Sequence, residues 1–259
     1  MKSIVSDLLA EQAQVDAVLD GLPESVWNSP SANCEWTIKQ ELQHVAAFDY
    51  AAVRMIGGGF TCVNGVSDVE FGHDAIYTPT AFGHLTGAET MTWWREQRSR
   101  LAVTFLDTDP KARIPWAPGL PMSAKSLASA RLMELWAHSV DIYDALGLDP
   151  VVKDRIVSTL FLSWQARPNA YRINGLELPD TPLYLSVTLP SGELWNRGEP
   201  DAANRISGTA RDWALVAVRR RNWMDTDLEV VGDEARRFAG IVQTFAGEAS
   251  SVAPPKNPR

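Results

Sequence analysis

Cysteine is scarce in this sequence. The 259 residues contain two cysteines, Cys34 and Cys62, and no Cys-x-x-Cys pair. Two cysteines cannot build the disulfide framework of a small secreted domain, so the sequence predicts a reducing, cytoplasmic setting. Long apolar runs are also missing, since none reaches the roughly 18 residues that a membrane-spanning helix needs. The first residues are interrupted by Asp7, Glu11 and Gln12, a pattern that predicts neither a signal peptide nor an anchor.

Positive charge is in deficit as well. Lysine and arginine number 24 against 32 aspartates and glutamates, which gives a formal net charge of −8 with neutral histidines. An acidic chain has no general attraction for nucleic acid or for an anionic membrane surface. We therefore expect a small-molecule substrate as partner, no nucleic acid and no membrane, and either a monomer or a homodimer.

Several signature motifs of common enzyme classes are absent. The sequence has no GxGxxG after a predicted strand, no GxxxxGK[ST], no GxSxG and no HExxH. These absences argue against the usual nucleotide-binding loops, the serine-hydrolase elbow and the metalloprotease helix. Any chemistry must come from residues that the fold brings together.

Apolar residues recur at helical spacing over the first two thirds of the chain. This spacing predicts helices over residues 3–22, 37–57, 86–106, 123–147 and 151–165. Two of the starts carry a capping box, Thr37 with Gln40 and Thr86 with Glu89. Residues 60–85 are Gly-rich and predict a long loop. Four prolines between residues 110 and 121 lie in the connection before the fourth helix.

Beyond residue 166 the pattern changes to the alternation of strands. Tyr184–Leu189 and Glu193–Asn196 flank Pro190-Ser191-Gly192 and predict a β-hairpin. Further elements are predicted as a strand at 205–207, a helix at 210–221, a strand at 228–231 and a helix at 234–245.

The chain is therefore predicted to be α+β. A helical domain is expected at residues 1–166 and a small α+β domain at 167–247, with a linker near 167–182. A disordered tail is expected at 248–259, because that segment is small-residue and proline-rich.

One spacing on the fourth predicted helix brings a carboxylate and an imidazole together. Glu134 and His138 are one turn apart, so both side chains point the same way and can hold one cation. A third ligand must come from a facing helix, and His44 is the best candidate. A His-Glu-His set leaves coordination positions free for water or substrate, as in a catalytic metal site. By ligand type it suits Zn²⁺, Ni²⁺, Fe²⁺ or Mn²⁺.

A structural interpretation of the same residues stays open. A polar line at helical spacing is commonly a solvated face with salt bridges. The members of this line are Arg131, Glu134, His138 and Asp141. Against that interpretation, the rest of the helix is apolar nearly all round, so its polar residues need partners inside the bundle. Arg98, on the inward line of the third helix, either binds a substrate carboxylate or carries its head group to the surface.

Two stretches carry a more specific pattern, residues 34–46 (CEWTIKQELQHVA) and residues 114–142. They resemble the second helix and the metal-binding helix of the DinB-like, mycothiol-dependent maleylpyruvate isomerase superfamily, and more closely its subgroup of metal-binding proteins. The likeness continues into the second domain, at residues 167–168, 175–177, 192–195, 201–208 and 220–226, and so covers nearly the whole chain.

This resemblance implies an up-and-down four-helix bundle (DinB-like) followed by a small sterol-carrier-like α/β domain. It implies a divalent metal, commonly zinc, held by His44, Glu134 and His138, and a site in a cleft between the domains. Arg220 falls where relatives place a basic residue near that cleft. Arg98 and Arg220 are therefore the candidate catalytic residues, anchoring a substrate carboxylate.

The resemblance also implies a reaction. In the isomerase, a metal-bound thiol such as mycothiol is expected to form a thiolate that adds to an activated double bond; the adduct rotates, and elimination gives the other isomer. The same site could leave the thiol attached, as an S-transferase does. A thiol-independent metal enzyme, such as a hydrolase, lyase or cyclase, and a non-catalytic ligand-binding protein are the alternatives.

Two departures from the family pattern bear on the substrate. Asn222 stands where the close subgroup is expected to have histidine. The stretch 57–86 is more aromatic than the charged, helix-like segment usual there. We interpret this stretch, which includes His73 and His84, as the border of a site adapted to a bulkier, more apolar ligand.

Overall fold

The computed structural model of the chain describes residues 1–32, 35–58, 82–117 and 120–256. They form two compact units, Met1–Pro150 and Val151–Arg259. The predicted boundary after residue 166 falls inside the second unit, and the helix just before it belongs there. Its Ser163 hydroxyl accepts a 2.8 Å hydrogen bond from Trp213 Nε1, deep in the second unit.

The first unit is built mainly from long helices. They are α1 (Lys2–Leu19), the short α2 (Glu24–Trp27), α3 (Ile38–Ile56), α4 (Gly87–Leu106) and α5 (Ala124–Ala145). Helix α3 packs against α4 and α5, and α1 packs against the same two helices, which is the arrangement of a four-helix bundle. Leucines of these helices, such as Leu8, Leu42 and Leu101, are at most 1% exposed and form its core.

Side-chain caps begin α3, α4 and α5 where the sequence predicts. Thr37 and Thr86 each accept a hydrogen bond from the backbone N–H three residues ahead, and Gln40 and Glu89 bond back to the cap N–H. Both predicted capping boxes are therefore present. Ser123 caps α5 in the same way, with its side chain accepting a backbone N–H.

The proline-containing connection before α5 includes two strands that the sequence analysis did not predict. It forms an antiparallel ribbon of β1 (Arg113–Ala117) and β2 (Leu120–Ser123), in which Ile114 pairs with Met122. A two-stranded ribbon has an edge on both sides, so prolines can lie where no ladder N–H is required. The ribbon leads directly into α5.

The second unit follows with helices on a small sheet. Its elements are α6 (Val157–Gln165), α7 (Arg167–Ile173), β3 (Leu183–Thr188), β4 (Leu194–Gly198), β5 (Asn204–Thr209), α8 (Ala210–Ala217), β6 (Glu229–Val231) and α9 (Asp233–Ile241). The sheet order is β4-β3-β5-β6; β3 and β5 are parallel and the other pairs antiparallel. The hairpin of β3 and β4 turns at Gly192, whose φ of 91° lies in the left-handed region. A helical unit followed by a small sheet unit confirms the predicted α+β class.

Two features of the second unit differ from expectation. Helix α7 occupies the start of the expected linker, and Pro168 lies in its first turn, where no backbone N–H is required. The tail expected to be disordered makes hydrogen bonds through residue 256: Gln243 accepts from the Ser250 backbone, and Asp225 accepts from the Lys256 backbone.

None of the helices in the described part of the chain combines the length and apolar character that crossing a bilayer requires.

A charged network fastens α1 to α4. Arg95 donates to both carboxylate oxygens of Asp16, at 2.9 and 2.6 Å, and Arg98 pairs with the same carboxylate. Hydrogen bonds from Arg95 and the charges of both arginines hold the pKa of Asp16 below its ordinary value.

We expect Asp16→Asn to lower the melting temperature at neutral pH, and we expect the deficit to shrink in acid. A carboxyl group whose pKa is lowered by folding contributes stability that is complete above its unfolded pKa, here 3.8, and is lost as the pH falls through the folded value. Thermal unfolding followed by circular dichroism between about pH 7 and pH 3 measures this difference. The exposed Asp107, replaced by asparagine, is the control; a deficit that is the same at every pH would contradict the assignment.

Candidate metal centre

The three residues predicted to bind metal lie together on the facing sides of α3 and α5. One ring nitrogen of His44, one carboxylate oxygen of Glu134 and one ring nitrogen of His138 are all within 4.8 Å of one another. The two imidazole ring centroids are 4.6 Å apart. Both histidines are buried, whereas the Glu134 side chain keeps 22% of its surface exposed. The cluster therefore lies at the edge of the core, with its carboxylate partly exposed.

The distances in this cluster fit a shared cation better than a direct hydrogen bond. His138 Nε2 and Glu134 Oε2 are 3.5 Å apart, which is longer than an ordinary N–H···O bond. Two ligands about 2.0–2.1 Å from a tetrahedral Zn²⁺ stand roughly 3.3 Å from each other. A set of two imidazoles and one carboxylate is also the chemistry of an open, catalytic divalent-metal site. The residues present fit the group that the sequence predicts.

The opposite edge of the His138 ring meets a residue that the sequence analysis did not select. His138 Nδ1 lies 2.6 Å from Glu41 Oε2, and Ser31 Oγ donates a 2.6 Å hydrogen bond to the other oxygen of Glu41. Asp141 adds a third group near this edge, since Glu41, His138 and Asp141 also offer ligand atoms within 4.8 Å of one another. The available signal was the position of Glu41, three residues before His44 on the same face of α3.

The polar line of α5 is not a solvated face. Arg131, His138 and Asp141 are 1%, 8% and 5% exposed. Arg131 Nε donates a 2.9 Å hydrogen bond to Asp49 on α3, where both side chains are at most 2% exposed. Burial raises the pKa of Asp49, and the charge of Arg131 opposes that rise. The interpretation of this line as an exposed, salt-bridged surface is therefore wrong.

Aromatic rings surround the two histidines. Trp36 lies with its ring centroid 4.9 Å from His44 and stacks nearly parallel on His138, at 5.8 Å and 9°. Phe48 lies 4.6 Å from His44, and Trp116 of the β-ribbon packs on Phe48 at 5.8 Å. These rings reduce the access of water to the cluster, which strengthens electrostatic interactions inside it.

The structure gives Arg98 a structural environment. Its guanidinium lies 4.4 Å from the Trp94 ring, pairs with Asp16 and donates a 3.0 Å hydrogen bond to the Gln12 carbonyl. These contacts favour an arginine that joins α1 to α4 over one that binds substrate. Arg220 belongs to the second unit, where it is half-buried and donates to the Val218 carbonyl at 2.9 Å.

The other residues that the sequence analysis singled out are Asn222, His73 and His84. Asn222 caps the 3₁₀ turn Trp223–Asp225 through its side chain, so the residue expected to be histidine has a local structural role here. His84 is exposed. His73 and most of the aromatic stretch 57–86 lie outside the described residues.

Comparison with known proteins bears on this geometry. The family model described as the mycothiol maleylpyruvate isomerase N-terminal domain matches residues 8–143. Two proteins of Mycobacterium tuberculosis, the uncharacterized proteins MT0041 and Rv0036c, are each 35% identical over 248 residues, which are 94% of this chain and 95% of theirs.

Solved structures show the same fold. Crystal structures of the mycothiol-dependent maleylpyruvate isomerase and of a mutant of it match with TM-scores of 0.59 and 0.58. Each match covers 85% of this chain and 89% of the other at 16% identity. At that identity the likeness concerns the fold and carries no statement about substrate.

Proposed function

Because the chain belongs to the family of the mycothiol maleylpyruvate isomerase N-terminal domain, we propose that it is a metal- and thiol-dependent enzyme. Its substrate is a small unsaturated organic molecule, and its reaction is isomerisation or transfer of the thiol. The observation that carries the proposal is the cluster of His44, Glu134 and His138, whose ligand atoms lie within 4.8 Å of one another and could hold a metal ion. Mycothiol is the proposed thiol, since it is named in the family description.

Each residue of the cluster has a proposed part. His44, Glu134 and His138 hold a divalent cation, with Zn²⁺ preferred and Ni²⁺, Fe²⁺ or Mn²⁺ as other candidates. When bound, such a cation lowers the pKa of a coordinated thiol, so that the thiolate is available near neutral pH. Glu134, as the most exposed of the three, faces the side from which a ligand enters.

The aromatic rings suit a flat, unsaturated substrate. Trp36 and Phe48 lie beside the histidines, and planar π-systems pack favourably against aromatic rings. Arg220 is the proposed anchor for a substrate carboxylate, by its match to the family pattern, because a guanidinium binds a carboxylate through two parallel hydrogen bonds.

The test uses the complete chain loaded with Co²⁺. On addition of mycothiol we expect a sulfur-to-metal charge-transfer band in the near ultraviolet and, with Zn²⁺, thiol-dependent conversion of maleylpyruvate to its trans isomer. The band should be missing from His138→Ala. Metal-dependent conversion of a small organic substrate without any thiol would instead support a hydrolase, lyase or cyclase. If His138→Ala binds a small organic molecule as well as the unaltered chain does, a non-catalytic role is supported.

A further inference from the structure

Glu41 is a fully buried carboxylate whose hydrogen bonds lead to one residue of the metal site. Its relative exposure is 0%, and a buried carboxylate is strongly destabilising unless both oxygens are hydrogen-bonded. One oxygen accepts from Ser31 Oγ and the other contacts His138 Nδ1, each at 2.6 Å. Glu41 is therefore satisfied by a contact with the far edge of a proposed metal ligand.

The two nitrogens of His138 have different surroundings. Nε2 faces Glu134 at 3.5 Å, in the three-residue cluster, and Nδ1 faces Glu41. A neutral imidazole carries one proton, so Nε2 can offer its lone pair to a cation only when the proton is on Nδ1. We infer that Glu41 is a positioning residue, which accepts the Nδ1–H of His138 and selects the tautomer that binds metal. The inference rests on the proposed function, since it assigns a role toward the same metal.

The face of the His138 imidazole ring, as well as its Nδ1 edge, is in contact with the segment before α3. Trp36 stacks on His138, and Ser31 and Trp36 belong to the same short segment before α3, closed by a 2.8 Å hydrogen bond from Ser31 N to the Trp36 carbonyl. This segment thus supplies the donor that orients Glu41 and the ring that covers His138. Such carboxylate–histidine–metal arrangements fix the ring orientation and increase the basicity of the coordinating nitrogen.

A second cation held by Glu41, His138 and Asp141 is the competing interpretation. These residues also offer ligand atoms within 4.8 Å of one another. However, two ligands of one small cation stand about 3.3 Å apart, and the 2.6 Å between His138 Nδ1 and Glu41 Oε2 is the separation of a short hydrogen bond. The distance therefore favours a proton over a metal ion at this position.

The experiment measures metal affinity in the complete chain, without reference to turnover. Zn²⁺ affinity is obtained by competition with a chelating dye, and the ligand field by the visible spectrum of the Co²⁺ form. Glu41→Met should weaken Zn²⁺ binding by about 10–100-fold and alter the Co²⁺ spectrum. Glu41→Gln keeps an acceptor oxygen but loses the charge, so Zn²⁺ binding should weaken by a smaller factor, about 3–10-fold, with a nearly unaltered spectrum.

The control replaces a buried carboxylate of the second unit. Glu234 is 6% exposed and accepts from Tyr171 and Arg167, so Glu234→Gln should leave Zn²⁺ affinity unaltered. Circular dichroism shows whether each variant folds. Should Glu41→Met fail to fold, the comparison of Glu41→Gln with the unaltered chain decides.

Three outcomes separate the possibilities. Unaltered Zn²⁺ affinity in a folded Glu41→Met chain, or in Glu41→Gln where that variant decides, would overturn the positioning role. A second Zn²⁺ per chain that is lost in Asp141→Asn would overturn it in favour of a cation at Nδ1. Absence of metal binding in the unaltered chain would overturn the proposed function itself.

Discussion

Replacing His138 by alanine is expected to leave the purified chain without bound metal, whereas the unaltered chain should carry about one divalent ion per molecule. His138 offers a possible ligand atom within 4.8 Å of those of His44 and Glu134. Removing a residue that only hydrogen-bonds to a metal ligand costs about 10–100-fold in metal affinity, so removing a ligand itself should cost more. Elemental analysis of protein purified without a histidine tag measures the result directly.

The chain provides a matched control in His84, which is exposed. His84→Ala should keep its metal, as the unaltered chain does. A chelator should lower the melting temperature of the unaltered and His84→Ala proteins and leave that of His138→Ala unaltered, because only a folded chain that binds metal is stabilised by it. Equal metal contents in the His138→Ala and His84→Ala chains would contradict the assignment.

Removing Arg131 is expected to cause the largest loss of stability among single substitutions at charged residues of the bundle. Arg131→Met leaves Asp49 as a buried, uncompensated charge, and breaking a buried pair from one side costs about 3–5 kcal/mol. The fall in melting temperature should be on the order of 10 °C. Thermal and urea unfolding of the complete chain measure it.

Two further variants test the reason for that loss. Arg131→Met combined with Asp49→Leu removes both charges and should recover much of the stability, since a buried pair contributes little beyond an apolar pair. Arg100→Met, which breaks the exposed pair with Glu96 on α4, should cost less than about 1 kcal/mol. Similar losses in Arg131→Met and Arg100→Met would show that burial is not the cause.

The features that sequence predicts well in this protein are local ones. Capping boxes at Thr37 and Thr86 involve residues three apart, and the Glu134–His138 pair is one turn of helix, so each is fixed by helical geometry alone. His44 could be added because one facing ligand was required and α3 offered a single histidine. Helical spacing and capping patterns were therefore sufficient to predict the helices of the bundle and the three residues of the cluster.

The features that sequence missed depend on packing between distant segments. The contact of Glu41 with His138 joins residues 97 positions apart, and no local pattern encodes it. The inward position of Arg98 was predictable from helical spacing, but its partner Asp16 lies on another helix. Whether Arg98 binds substrate or forms an ion pair could therefore be decided only from the packing of α1 against α4.

The contacts between α3 and α5 also determine how far the two helices can slide along each other. Glu41 contacts His138 and Asp49 contacts Arg131, so α3 and α5 are antiparallel. Moving along α3 from residue 41 to residue 49 corresponds to moving back along α5 from residue 138 to residue 131. A slide of one turn, about 5.4 Å, would bring Glu41 opposite Glu134 in one direction and Asp49 opposite Glu134 in the other.

Either slide would set two carboxylates against each other in the interior and would leave the guanidinium of Arg131 without its acid. The apolar residues of α3 and α5 would tolerate such a displacement more readily, because one leucine or alanine packs much like the next. The alternation of acidic and basic groups therefore fixes a single alignment of the two helices, as polar core positions fix the register of a coiled coil. The same residues that surround the proposed metal thus also define the one helix alignment in which its ligands can meet.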